Sequence, residues 1–127
     1  MQITPIDLFA RGVRMLADGH VFDEERRMTG DIEGWTVATF HVESEADVHG
    51  DHWERHPASS ELVTVLSGSI RLYLRPETPQ QDEDWVCVQP GTAYVVPRGR
   101  WHRIEVAEPA DLVTISLRRD SELTPRR

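Results

Sequence analysis

Gly91-Thr92-Ala93-Tyr94-Val95-Val96-Pro97-Arg98-Gly99-Arg100-Trp101-His102 is the stretch on which the fold turns. Its Tyr-Val-Val run favours an extended chain, Pro97 and Gly99 reverse it, and His102 opens a further run in phase with Ile104 and Val106. Successive strand residues face opposite sides, so the His102 imidazole shares a face with two aliphatic side chains. A buried imidazole needs a polar partner.

Outward toward the N-terminus, Trp53-Glu54-Arg55-His56-Pro57-Ala58-Ser59-Ser60-Glu61-Leu62-Val63-Thr64-Val65-Leu66-Ser67-Gly68 supplies candidates for it. Glu54 and His56 stand two apart and face the same way in a strand. Pro57 cannot continue a central ladder, and Ala58-Ser59-Ser60 can turn the chain. Glu61 then starts the neighbouring strand in phase with Val63 and Val65. If that shared face is the interior, Glu54, His56, Glu61 and His102 converge among aliphatic neighbours, and a divalent cation satisfies all four.

The remainder is β-rich. Trp35–Val42, Leu62–Leu66 and Ile70–Leu74 read as strands, with Ser67-Gly68-Ser69 as a turn. Further strands are expected near 85–89, 92–96, 100–106 and 111–118. Residues 75–84, polar and Pro-containing, read as a hairpin loop. Many short strands parted by turn residues indicate a sandwich or barrel. Ahead of them, Thr4 as N-cap, Pro5, and Ile6, Phe9, Val13 and Leu16 at helical spacing predict one amphipathic helix over residues 5–17, stopped by Gly19. The division expected is a helical segment over 1–30 packed on the barrel, the barrel over 31–118, and a loose polar tail over 119–127.

Length and composition set the outer bounds. At 127 residues, 39% hydrophobic and 28% charged, the chain is of single-domain, globular character. Its 14 basic and 22 acidic residues give a net charge of −8, which repels phosphate backbones and anionic membranes, so neither nucleic acid nor membrane is an expected partner. Cys87 is the only cysteine, which excludes an internal disulfide and a thiolate zinc cluster, and its place in Trp85-Val86-Cys87-Val88 suggests a small buried thiol. Asp7, Arg11 and Arg14 interrupt any secretory apolar stretch, so a cytoplasmic location is the default.

The two motif stretches together resemble the paired motifs of the cupin superfamily. Gly91 through His102 matches G-x-x-x-x-x-P-x-G-x-x-H without a gap, and His56 through Glu61 to Gly68 matches H-x-x-x-x-E-x-x-x-x-x-x-G. The resemblance covers the middle half of the chain. It implies an all-β double-stranded β-helix (a jelly-roll barrel), often a homodimer, with a metal held by motif side chains. Three positions depart from the pattern: Glu54 stands where a His is usual, Val106 replaces a frequent Asn, and Val48 takes the place of an opening Gly, with Gly50 close by. The phrases Trp53-Glu54-Arg55-His56-Pro57 and Val95-Val96-Pro97-Arg98-Gly99-Arg100-Trp101-His102 also resemble a group of small bacterial cupins without a settled reaction.

Imidazole and carboxylate donors suit Zn, Fe, Mn, Ni or Cu without ranking them. His56, Glu61 and His102 are the expected core ligands, with Glu54 as fourth ligand or as general base. The function expected is a metal-dependent enzyme on a small molecule, of oxygenase or isomerase/lyase type. The alternative is a non-catalytic small-ligand binder or sensor. His20, His41, His49 and His52 read as exposed, and Trp53 and Trp101 as outward-packing. Arg98 and Arg100 read as solvated or as facing an acidic substrate at the mouth, and Tyr94 as core.

Overall fold

Nine strands make up the computed structural model, which describes residues 3–27 and 31–126. They are β1 (Arg11–Met15), β2 (Val21–Glu25), β3 (Trp35–Val42), β4 (His52–Arg55), β5 (Glu61–Leu74), β6 (Asp84–Val88), β7 (Ala93–Val96), β8 (His102–Leu117) and β9 (Glu122–Pro125), with a single 3₁₀ turn over Glu45–Val48. The all-β barrel expected from the motifs is the fold observed.

Two long strands organise it. β5 and β8, of 14 and 16 residues, run antiparallel from Leu62↔Ile115 to Leu74↔His102. The C-terminal half of β8 also pairs with β3, from Trp35↔Leu117 to Val42↔Ala110, while its first residue meets β4 at Glu54↔His102. β6 and β7 add to β5, β1 and β2 extend β3, and β9 covers β4. Alternate inward positions of these strands build the core of Val42, Val63, Val65, Ile70, Leu72, Val88, Val96, Ala110 and Leu112.

The segments around Ser67-Gly68-Ser69 and Ala107–Pro109 are not turns between shorter strands. Both stay inside β5 and β8, where the ladder slips register between Val65 and Ile70. Gly68 has φ +75°, and a Cβ there would lie 2.0 Å from the Pro109 carbonyl oxygen, so the bulge brings two backbones together where only glycine fits.

The helix expected over 5–17 is not formed. Residues Arg11–Met15 pair with Val21–Glu25 across a turn in which Gly19 takes φ +95°. Cross-strand charge pairs explain the outcome: Arg14 donates to both carboxylate oxygens of Glu24, and Arg11 Nε to Asp23. Of the apolar stripe only Val13 is buried; Ile6 and Phe9 are exposed. Cys87, expected inside, is exposed, because Val88 holds the inward phase of β6. The tail beyond Arg119 is not loose: β9 pairs with β4 from His52↔Pro125 to Arg55↔Glu122.

Candidate metal centre

The ends of three strands meet around one buried cluster. Glu54 comes from β4, His56 from the residue after it, Glu61 opens β5 and His102 opens β8. The loop between β4 and β5 is fastened to the turn before β8, where Gly99 N–H donates to the His56 carbonyl at 3.1 Å and Arg98 Nε to the Pro57 carbonyl at 2.7 Å. Pro57 ends the β4 ladder as its sequence suggests, and the backbone bonds place His56 against β8.

One donor atom from each of the four residues lies within 4.8 Å of all the others. His56 Nε2 is 2.8 Å from Glu54 Oε1 and 3.1 Å from Glu61 Oε2. His102 Nε2 is 3.4 Å from Glu61 Oε1 and 3.9 Å from Glu54 Oε1. The side chains of His56, Glu61 and His102 are 3%, 6% and 3% exposed, whereas Glu54 is 37% exposed and forms the open side of the cluster. Both imidazoles are held from behind: His56 Nδ1 hydrogen-bonds Ser121 Oγ at 2.9 Å, and His102 Nδ1 donates to the Arg100 carbonyl at 3.1 Å. That leaves both Nε2 atoms facing the carboxylates.

The electrostatics follow from burial and proximity. Burial alone would lower the His56 pKa, but the carboxylates of Glu54 and Glu61 overcome it and raise the value to about 10. Burial alone would raise Glu61, but His102 and His56 reverse that and hold it at about 2. Without a cation, an imidazolium between carboxylates is therefore the stable arrangement. It is an imperfect one, since His56 Nε2 is buried and neither nearby carboxylate oxygen meets it in hydrogen-bond geometry. A buried imidazole nitrogen facing two carboxylates and a second imidazole is a donor set that fits a divalent cation.

The cluster opens into a cavity of about 600 Å³. Phe40, Val42, Val48, Ile104 and Leu112 give it an apolar wall. His49 and His52, expected as bystanders, also line it, His49 from an exposed position and His52 half-buried. Arg98 and Arg100 do not line it; Arg100 pairs with Glu77 instead. Trp53 faces away from the cluster and is buried, covered by the guanidinium of Arg103, which also lies 3.9 Å over the Tyr73 ring and pairs with Glu83 and Glu105. Trp101 carries Arg55 at 4.6 Å over its ring, and Tyr94 packs on the core. Ser121 escapes sequence reasoning altogether, since a lone serine in a polar tail carries no signal until β9 is paired.

A family model described as Cupin_2, cupin domain, matches residues 38–117. Among solved structures, the chain is similar to a cupin-2 domain containing protein from Shewanella frigidimarina NCIMB 400, with 20% identity and a TM-score of 0.52 over 72% of this chain and 78% of that one. It is similar in the same way to protein NMB1881 from Neisseria meningitidis, with 20% identity and a TM-score of 0.52 over 74% and 86%. Bacillus subtilis oxalate decarboxylase matches at 18% identity and a TM-score of 0.53, over 72% of this chain but only 24% of that protein. At these identities the likenesses concern the fold. No curated protein sequence matches the chain. Among the described residues, no helix is long and apolar enough to cross a membrane.

Proposed function

We propose that this chain, which belongs to the cupin domain family, holds a divalent cation between Glu54, His56, Glu61 and His102 and acts as a metal-dependent enzyme on a small molecule in the barrel cavity. The observation that carries the reading is the convergence of four donor atoms within 4.8 Å of one another, with the buried His56 Nε2 set against two carboxylates and a second imidazole. When bound, such a cation polarises a substrate oxygen as a Lewis acid, and iron would add one-electron chemistry with dioxygen.

The chain's own residues supply the rest. His56 and His102 present bare Nε2 atoms once His56 releases its proton, and Ser121 and the Arg100 carbonyl fix both rings. Two carboxylates balance a dication, so the centre attracts anions less than a three-histidine site does. Glu61 is sealed in, whereas Glu54 faces the cavity, which makes its carboxylate the group placed to take a proton from substrate or to complete the ligand set. Iron fits an oxygenase, and zinc or manganese fits an isomerase or lyase.

Elemental analysis of tag-free protein, with His56→Ala and Glu61→Ala beside it, tests the assignment. Stoichiometric transition metal in the native chain and its loss in both variants is the expected result. Undiminished metal in both variants, or none in the native chain after exposure to zinc, iron, manganese and nickel, overturns it. A ligand sensor using the same cavity would show thermal stabilisation by a metabolite without turnover in any metal form. A homodimer is proposed alongside, with exposed Leu66, Trp85 and Val95 on β5, β6 and β7 offering apolar surface to a second copy; light scattering at micromolar concentration checks it.

A further inference from the structure

Beyond the cluster, the cavity wall carries charged side chains, and nearly all have partners. Asp31 accepts from the Asp120 N–H, Asp47 from the N–H groups of Glu43 and Ser44, and Glu122 from Arg55. Arg103 pairs with Glu105 and Glu83 through its two terminal nitrogens, although its Nε is buried without a partner. Arg118 is different. Its side chain lines the cavity and makes no ion pair or hydrogen bond among the described residues, and its Nε is buried without a partner. Asp120, two residues on, is exposed.

A second unpartnered group stands on the same side. Thr114 lies four residues back, within β8, and lines the same cavity as Arg118. Thr114 is 8% exposed, lines the cavity, and its Oγ1 is buried with no hydrogen-bond partner. An unsatisfied buried hydroxyl and an unsatisfied guanidinium each cost stability where they stand. Their placement in one wall of a solvent-connected cavity points to a ligand group that satisfies both.

We infer that Arg118 and Thr114 form the subsite for a substrate carboxylate, so that the molecule processed at the metal is a small monocarboxylate with an apolar body. The planar guanidinium matches two carboxylate oxygens, and the threonine hydroxyl adds a third donor. Asp31 and Asp120 line the same cavity and disfavour a dianion such as phosphate. Phe40, Leu112 and Ile104 receive the apolar body. Ser121, three residues beyond Arg118, hydrogen-bonds His56, so one chain segment runs from the carboxylate subsite to the cation ligands. The inference rests on the metal-dependent reading for the reaction, but not for the binding.

Calorimetric titration of zinc-loaded and metal-stripped protein with benzoate, benzamide and inorganic phosphate is the test. Benzoate is expected to bind both forms at least tenfold more tightly than benzamide or phosphate. Arg118→Gln should abolish that preference and Arg118→Lys should keep part of it. Thr114→Val should weaken benzoate severalfold, with zinc content unchanged in all three variants. Equal binding of benzoate and benzamide to native protein overturns the inference. So does benzoate binding that vanishes on stripping zinc yet survives Arg118→Gln, because the carboxylate would then sit on the metal. Failure of native protein to retain zinc while the Arg118-dependent preference persists overturns the metal-dependent reading and leaves the subsite standing.

Discussion

Replacing Gly68 by alanine puts the geometry of the β5–β8 bulge to a quantitative test. Two costs are separable. A non-glycine residue at φ +75° is in the left-handed region, which costs about 1–2 kcal/mol. The new Cβ would also stand 2.0 Å from the Pro109 carbonyl oxygen and 2.7 Å from the Ala110 Cα. Both are backbone atoms, so the ladder itself must part, an overpacking cost of about 1–3 kcal/mol. Gly99 provides the control. It has φ +77°, but a Cβ added there would meet nothing within 4 Å, so Gly99→Ala should lose only the first contribution, about 1–2 kcal/mol. Urea unfolding of the two variants beside the native chain should give about 2–5 kcal/mol for Gly68→Ala, with a Tm lower by on the order of 10–20 °C. Equal losses in the two variants would refute the close approach. A change confined to the m-value would point to the denatured state instead.

Other measurements reach the centre from different sides. Ser121→Ala removes the hydrogen bond behind His56 Nδ1 and should weaken zinc binding about tenfold; an unchanged affinity by competition with a chelator would deny Ser121 any positioning role. Metal-stripped protein should be most stable between about pH 4.5 and 6.5. Glu61, lowered from 4.5 to about 2, stabilises the fold above its unfolded pKa and loses that contribution as pH falls from 4.5 toward 2. His56, raised from 6.5 to about 10, stabilises it below its unfolded pKa and loses that contribution as pH rises from 6.5 toward 10. Thermal unfolding across that range checks both flanks, and Glu61→Gln should flatten the acid one. Cys87 should react with a thiol reagent in the native state without denaturant; protection until unfolding would return it to the interior.

The motif spacing made the centre legible. Alternation put Glu54 beside His56, the break at Pro57 returned Glu61 to the same face, and the turn at Pro97–Gly99 delivered His102. β3 was likewise readable, because its β-branched and aromatic residues favour a strand on their own. What escaped reading depends on partners far along the chain. The stripe at Ile6, Phe9, Val13 and Leu16 has helical spacing, but the charges of Arg11 and Arg14 find Asp23 and Glu24 only across a hairpin. Gly68 and Pro109 have the composition of turns, yet they face one another across a bulge inside continuous strands. β9 has a single large apolar residue, Leu123, and is a strand because the backbone of β4 is there to pair with. Arg118 and Thr114 look ordinary in sequence; only the finished fold shows that, among the described residues, no side chain partners either of them.

β8 forms ladders with three other strands, and its registers join positions as distant as Trp35 and Leu117 or Glu54 and His102. Nearly every pairing that counts must therefore close a long loop before any contact rewards it. Such a topology belongs to the slow end of two-state folding, in about milliseconds to seconds. Without β8, the segment from Glu54 to Glu61 holds His56 between two acidic residues and lacks a second imidazole. The pairing that brings His102 to the cluster is thus the same one that closes the barrel, so a complete donor set and a closed fold arise together.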